Sequence, residues 1–369
     1  MLEVHSIGDR VITVFTPSFA DESNTNAQNL TVKEVVARLD PERYRVMMFS
    51  ATVPDARIAD RKNTTILRWA KHANTPHILA QLFGRVPDVY FFPREGSIDA
   101  AFLAVRAKLR LRSALVTYVV SGGLQENQEK GRPVLWRAMR ECDALAANSR
   151  HMAETVRKLS GKDVHIVYDG IDRRYYHPWP QSTVTPGNRR VLFAGSFRSY
   201  KRANLVVQQA TRFPQWEFRL AGAGEEENAC RKLAHDTNCK NVQFLGHLNA
   251  DQLGEEMRQA QIFFFPSELE GHPQVLGQAA ACGLPCIARS SYYPDYVVDG
   301  VTGLLAGSDG DLSGALGRLI EDSELRKQMS AAAIRHAEKF EWDDVTQQWA
   351  AIMEEAIVQR QNHRRKRST

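Results

Sequence analysis

Short, strongly apolar runs alternate with segments of helical periodicity along the chain. Residues 30–39 place Val32, Val35, Val36 and Leu39 on one stripe, which is the spacing of a helix buried on one face. Apolar runs predict strands at residues 10–15, 44–49, 86–92, 113–120, 143–148 and 164–168, and a helix at 99–110. Strands that alternate with helices predict a parallel, doubly wound sheet that binds ligands beyond the carboxyl ends of its strands.

A second alternating set follows a proline-rich stretch. Residues 173–190 contain three prolines and a glycine, which predicts a linker. Later apolar runs predict strands at residues 190–195, 217–220, 242–245, 262–265 and 286–288, then a mostly helical segment at 325–357 interrupted near Phe340. We therefore expect two doubly wound α/β domains that face a cleft. They comprise residues 1–172 and 191–340, joined by the linker, and the C-terminal helix and basic tail at 341–369 is expected to pack back toward the first domain.

Composition indicates a globular chain without a membrane anchor. Of its 369 residues, 43% are hydrophobic and 25% charged, and no run reaches the roughly 18 apolar residues that a spanning helix needs. Residues 1–5 lack the basic and apolar regions of a signal peptide. The five cysteines, which have no CxxC spacing, are Cys142, Cys230, Cys239, Cys282 and Cys286. Neither a disulfide framework nor a metal site is indicated, so we expect a cytoplasmic protein.

Positive charge is concentrated in the first half and in the tail. Residues 1–186 carry 26 Lys and Arg against 20 Asp and Glu, and two windows, 61–87 and 100–125, contain no acid. The tail carries Arg364, Arg365, Lys366 and Arg367. Two interpretations stay open: solvated helix faces, or a surface for peripheral contact with an anionic membrane or an anionic acceptor. Nucleic acid is not favoured as a partner, because no aromatic residues interleave with the charge.

The densest candidate chemistry lies between residues 265 and 285, which predict a strand, a loop, a helix and a turn. Pro273 suits the first helical turn, where no N–H is missed. The amides of Gln274, Val275 and Leu276 would then be free at the positive end of the helix, which is a phosphate site. Glu270 lies just before that end, where its carboxylate can bond sugar hydroxyls while the phosphates bond the amides.

This segment resembles the retaining family-4 glycosyltransferases of the GT-B fold. The resemblance rests on Glu270-Gly271-x-Pro273, on a polar residue eight positions after Glu270, and on Ala-x-x-Cys-Gly-Leu-Pro over residues 279–285. Further motifs follow the family order: residues 147–149, 169–172, Gly195 with Lys201, 221–224, 241–246 and 299–305. Gly300 and Gly303 in the last motif are interpreted as turn glycines.

The resemblance implies retaining sugar transfer from a nucleotide-sugar donor to a glycan, lipid or small-molecule acceptor, without a metal or other cofactor. It implies that Lys201 contacts the diphosphate, that Glu270 holds the sugar and that Gln278 reaches the ribose. Arg198 would add charge at the diphosphate, and His272 would reach the sugar or diphosphate. The donor contacts it implies are Gly195, Ser196, Gly271, His272, Pro273, Gln274, Val275, Leu276 and Gln278. The acceptor is expected on the first domain.

The chain also departs from the family pattern. Ser196 stands where the family usually has Arg, Gln278 stands where it has Glu, and residues 121–123 stand where a His is usual. These changes keep two alternatives open. One is a nucleotide-sugar hydrolysing or epimerising enzyme on the same fold, and the other is a non-catalytic nucleotide-sugar-binding protein.

Overall fold

The computed structural model describes residues 10–23, 27–69, 75–120, 131–178 and 189–366. The predicted linker falls outside the described residues over 179–188, as do residues 1–5, Lys71, residues 121–123 and Arg367. The chain divides into two units, one formed by residues 1–169 and 342–369 and the other by residues 170–341. Among the described helices, none is long and apolar enough to cross a bilayer.

The N-terminal unit is built on a seven-stranded parallel sheet with the order β3-β2-β1-β4-β5-β6-β7. Its strands are β1 (Ile12–Phe19), β2 (Tyr44–Ser50), β3 (Thr64–Arg68), β4 (Val89–Phe91), β5 (Ala114–Val119), β6 (Ala144–Ala147) and β7 (His165–Ile166). Its helices are α1 (Ala27–Arg38), α2 (Ala56–Ala59), α3 (Thr75–Gly84), α4 (Ser97–Lys108), α5 (Pro133–Glu141) and α6 (Arg150–Ser160). The apolar runs buried on both faces of this sheet are typical of a parallel sheet covered by helices.

The second unit contains a six-stranded parallel sheet with the order β10-β9-β8-β11-β12-β13. Its strands are β8 (Arg190–Ala194), β9 (Glu217–Ala221), β10 (Val242–Gly246), β11 (Ile262–Phe265), β12 (Cys286–Arg289) and β13 (Gly303–Ala306). Its helices are α7 (Ala203–Arg212), α8 (Glu227–Asp236), α9 (Ala250–Gln259), α10 (Gln274–Ala281), α11 (Asp309–Glu321) and α12 (Ser323–Ala337).

The last helix, α13 (Trp342–Lys366), returns to the N-terminal unit. Trp349 is fully buried there, with its ring centroid 5.0 Å from that of Phe91 and 4.7 Å from that of Tyr118. Glu354 accepts a hydrogen bond from the Tyr44 hydroxyl at 3.0 Å. The predicted α/β class and the return of the C-terminal helix to the first domain are both confirmed.

Details of the fold differ from the sequence predictions. β3, α3 and α5 are among the elements that were not predicted, and Gly303 begins a strand instead of forming a turn. A Cβ on Gly303 would lie 2.1 Å from the carbonyl oxygen of Cys286. The glycine therefore permits β12 and β13 to approach, which a local turn interpretation cannot show. Gly300 does adopt a turn conformation, with φ of +72°.

Candidate functional site

Close backbone packing shapes the loop that follows β8. The Gly195 amide donates to the Ala221 carbonyl at 3.0 Å, and the Phe197 amide donates to the Ala223 carbonyl at 2.9 Å. Gly222 has a φ of +130°, and a Cβ there would lie 1.9 Å from the Gly195 oxygen. Only glycine fits this contact. The loop that carries residues 195–201 is therefore positioned by the turn after β9.

A second loop, after β11, lies against the first. The Glu268 amide donates to the Tyr200 carbonyl at 2.8 Å, and the buried Ser267 hydroxyl lies 3.4 Å from the same oxygen. Arg289, at the end of β12, donates from Nε to the Pro266 carbonyl at 3.0 Å. These bonds hold the two loops together at the carboxyl ends of the central strands, which is where parallel sheets bind ligands.

Lys201 and Glu270 meet where these two loops touch. Lys201 Nζ lies 2.5 Å from Glu270 Oε1, and the two side chains are only 14% and 11% exposed. The ammonium also lies 5.2 Å from the Phe265 ring centroid. Partial burial strengthens such a pair relative to one in water. The structure therefore brings together two of the three residues expected to be catalytic, although 69 positions separate them.

The start of α10 differs from the prediction in two ways. Pro273 has a ψ of 95° and lies just before the helix, which begins at Gln274. The Leu276 amide donates to the Pro273 carbonyl at 3.0 Å, and its side chain is fully buried. The prediction that the Leu276 amide is free is therefore wrong, because the extended proline directs its carbonyl into the first turn. The amides of Gln274 and Val275, at the first two helical positions, have no intrahelical acceptor.

Gly271, His272 and Gln278 surround the same helix end, and each is partly exposed. The His272 ring lies on that of Tyr296, with centroids 4.3 Å apart. Gln278 lies four residues after Gln274 on α10, so both side chains project from one face of the helix. The predicted ribose contact therefore lies about one helical turn from the predicted phosphate amides.

The structure does not join Arg198 or Ser196 to the Lys201–Glu270 pair. Both are exposed, and within the described part of the chain the Arg198 guanidinium has no hydrogen bond or ion pair. The Ser196 carbonyl accepts the Arg198 amide at 2.9 Å. The backbone of this segment is therefore ordered by local bonds while the guanidinium remains in solvent.

Tyr292 is a candidate residue that the sequence did not indicate. It lies in the helical turn Ser290–Tyr292 after β12, is 5% exposed, and its hydroxyl has no partner among the described residues. Burial raises the pKa of Tyr292, and the nearby Glu270 carboxylate raises it further. A buried neutral hydroxyl without a partner is a donor available to a ligand. The sequence did not indicate Tyr292, because it lies next to Tyr293 in a loop and no motif distinguishes the two.

The other ion pairs near the site join its loops to one another. Arg202 pairs with both Glu268 and Asp309, and Arg289 also pairs with Asp309. These ion pairs connect the loops after β8, β11 and β13. In the described part of the chain, no three His, Cys, Asp or Glu side chains are grouped in a way that could hold a metal ion.

The second unit and its flanking residues resemble known proteins. The family model "Glycosyl transferases group 1" matches residues 179–336. An uncharacterized glycosyltransferase of Methanocaldococcus jannaschii is 24% identical over 69% of this chain and 70% of its own length. The D-inositol 3-phosphate glycosyltransferase of Acidothermus cellulolyticus is 28% identical over 63% of this chain, and the match covers 58% of that relative. The corresponding Mycobacterium tuberculosis protein is covered over 52% of its length, so the chain spans little more than half of these two relatives.

Solved structures share the whole fold. Sucrose-phosphate synthase of Thermosynechococcus elongatus superposes with a TM-score of 0.74 at 16% identity, over 93% of this chain and 98% of the other. HepE of Anabaena, in complex with UDP and glucose, gives 0.71 at 15% identity, over 93% and 99%. The two parallel sheets and the solved structures agree on one fold. The chain has the GT-B fold, and its residues 179–336 match the group 1 glycosyl transferases.

Proposed function

We propose that the chain transfers a sugar from a nucleotide-sugar to an acceptor with retention at the anomeric carbon. The observation that carries this proposal is the mostly buried Lys201–Glu270 pair just before the first turn of α10. A cation and free amides next to a carboxylate suit a ligand that is part diphosphate and part sugar. HepE is described with UDP-glucose, so UDP-glucose is the first donor to test.

In this proposal each residue has a defined role. Glu270 bonds the sugar hydroxyls, Gln278 bonds the ribose, and His272 lies at the sugar or diphosphate. Lys201, joined by Arg198 and the amides of Gln274 and Val275, stabilises the charge that develops as the diphosphate leaves. The acceptor attacks on the face from which the diphosphate departs, and no covalent sugar–enzyme intermediate forms. Because these groups supply positive charge, we propose that turnover needs no metal and persists in EDTA.

Turnover assays with Lys201→Ala test this role. Losing a contact made as charge develops typically costs about 3 kcal/mol of barrier, so kcat should fall about 100-fold with a smaller change in KM. Lys232→Ala is the matched control, because Lys232 is exposed and paired with Asp236. An unchanged kcat in Lys201→Ala would contradict the assignment. NMR of the product's anomeric configuration tests retention separately.

The same assay distinguishes the alternatives. Release of nucleoside diphosphate only when an acceptor is added supports transfer. Release without an acceptor indicates a hydrolysing enzyme, and a new sugar isomer on the nucleotide indicates an epimerising one. Donor binding without turnover across glycan, lipid and small-molecule acceptors indicates a non-catalytic binding protein.

A basic cavity in the N-terminal unit supports peripheral contact with an anionic membrane. It has a volume of about 1110 Å³ and lies at the amino-terminal edge of the sheet. Its lining includes Arg45, Arg85, Arg110, Arg112 and Arg364, with exposed Leu109 among them. The lining carboxylate, Asp88, is paired with Arg10 at 2.9 Å. Arg106, in the second acid-free window, is buried on Asp143 and takes no part.

We propose that this surface binds the inner face of an anionic membrane, and vesicle sedimentation tests it. Each basic residue near such a surface contributes about 1 kcal/mol, and salt weakens it. The protein should pellet with anionic vesicles at low salt and less at high salt. An Arg110→Gln, Arg112→Gln double variant should remain in the supernatant, whereas Lys232→Gln should behave as the parent. Equal recovery with neutral and anionic vesicles would refute the membrane contact.

A further inference from the structure

A second, smaller cavity lies at the opposite edge of the same N-terminal sheet. Its volume is about 310 Å³, at the lower end for a small-molecule site. It is formed where β4 and β5 end, and its lining comprises Phe92, Pro93, Arg94, Glu95, Tyr118, Val119, Val120, Arg132 and Leu135. β1, whose eight residues span about 26 Å, separates this edge from the basic cavity. The two cavities are therefore distinct.

Arg94 is the polar group of this cavity that lacks a full set of partners. Its Nη2 donates to Asn29 Oδ1 at 2.7 Å, and the guanidinium lies 5.5 Å from the Phe92 ring centroid. Its Nε is buried and has no acceptor. A buried donor without a partner costs about 1–3 kcal/mol. Burial lowers the pKa of Arg94, and the charge of Asp99 offsets only part of this shift.

The neighbouring carboxylates are already bonded elsewhere. Glu95 accepts the amides of Val134 and Leu135 at 3.2 and 2.9 Å, at the start of α5. Asp99 accepts the Tyr90 hydroxyl at 2.8 Å and the Gly96 amide at 3.0 Å. Within the described residues, no carboxylate forms an ion pair with Arg94 or Arg132. The cavity lining therefore has two guanidinium groups and one carboxylate, Glu95, whose oxygens are bonded to backbone amides and not to either arginine.

We propose that this cavity binds an anionic group of the acceptor, a phosphate or a carboxylate, through Arg94 with Arg132 beside it. The inference rests on the proposed sugar transfer and specifies its acceptor as a negatively charged molecule. A guanidinium binds both oxyanions through parallel hydrogen bonds, and the Nε that lacks an acceptor is one of the donors such a bond uses. The carboxyl ends of the strands are where a parallel sheet presents ligands.

Calorimetry on the UDP-saturated protein tests the proposal with three probes: glucose 6-phosphate, glucuronate and glucose. We expect the two anions to bind at least about tenfold more tightly than glucose, and the tighter of the two identifies phosphate or carboxylate as the group. Arg94→Gln should lose about tenfold in anion affinity, because a charge-assisted pair is removed. Arg94→Lys should retain part of it, and Lys232→Gln, at an exposed lysine of the second unit that is paired with Asp236, should match the parent.

The outcomes separate this inference from the donor assignment. UDP affinity should be the same in Arg94→Gln as in the parent, and unchanged hydrogen exchange in β4 and β5 shows that the N-terminal unit of the variant is folded. Equal affinity for glucose and both anions, no binding of either anion, or an Arg94→Gln protein with parental anion affinity would each overturn the inference. A protein that binds the anions through Arg94 but does not bind UDP or turn over any UDP-sugar would instead refute the proposed function.

Discussion

At the scale of single residues, the site is defined by charges that neutralise one another. Lys201 and Glu270 are mostly buried and form an ion pair at 2.5 Å, so removing either would leave an uncompensated charge. In the proposed function a donor replaces part of this pair, with its phosphates near the lysine and its hydroxyls near the glutamate. Gln278 is the uncharged residue among the proposed donor contacts Lys201, Glu270 and Gln278. A charge introduced at Gln278 should therefore change the affinity for the nucleotide-sugar measurably.

Gln278→Glu should tighten nucleotide-sugar binding by about 1 kcal/mol. A carboxylate accepts from both ribose hydroxyls, and charge-assisted bonds are roughly twice as strong as neutral ones, although desolvation offsets part of the gain. Calorimetry with intact and 2′,3′-dideoxy nucleotide measures the effect, which should vanish with the dideoxy ligand. An equal change for both ligands would show that Gln278 does not face the ribose.

Asp99 should make the N-terminal unit less stable as pH rises from about 4 to 6. Burial raises the pKa of Asp99 from 3.8 to about 6, so in this window the folded chain holds a proton that the unfolded chain has lost. The loss should reach at most about 3 kcal/mol and be complete above pH 6. Urea titrations give the unfolding free energies of the parent and of Asp99→Asn. As pH rises from about 4 to 6, the unfolding free energy of the parent should fall relative to that of Asp99→Asn. A constant difference would contradict the prediction.

At the scale of elements, α10 packs against a cluster of aromatic rings. Tyr296 is fully buried, lies against His272 at 4.3 Å, and has its ring centroid 4.7 Å from that of Phe340. Gly277 packs directly on this ring. Gly277 is needed for close packing and not for a turn. The position of the start of α10, where the candidate phosphate amides lie, therefore depends on this glycine.

Gly277→Ala should destabilise the second unit by about 1–3 kcal/mol and weaken donor binding. Its Cβ would lie 2.7 Å from two ring atoms of Tyr296, so the helix or the ring must move. Gly314→Ala in α11 is the matched control. No atom lies within 4 Å of the position its Cβ would take, so that change should stabilise the helix by about 0.5–1 kcal/mol. Urea titration measures both, and a stabilised Gly277→Ala would refute the packing argument.

At the scale of the whole molecule, the two ends of the chain form one unit. α13 supplies Trp349 to the core beneath β4 and β5, and Arg360 donates to the Leu111 carbonyl at 2.7 Å. A residue close to the C-terminus thus stabilises the N-terminal unit. The contribution of each unit to stability can be separated by substitutions in its own core.

Trp349→Ala should destabilise the N-terminal unit by about 3–5 kcal/mol, because it empties a fully buried site. Hydrogen exchange should accelerate in β1, β4 and β5 and remain unchanged in β8 and β11. Trp216→Ala, a buried tryptophan of the second unit, should give the reverse pattern. Faster exchange in both units from either variant would show that they do not unfold separately.

The sequence by itself determined the two parallel sheets, since continuous apolar runs such as residues 262–265 and 114–119 are stable only when both faces are covered. β3 was missed because polar and apolar residues mix in an edge strand. Only the tertiary structure brought Lys201 to Glu270, left the Arg94 Nε without an acceptor and buried the Tyr292 hydroxyl without a partner among the described residues. It also gathered Arg85, Arg110 and Arg364 around one cavity. The physical reason is range: burial and periodicity are local properties of a chain, whereas pairing of charges depends on which distant segments the folded sheets bring together.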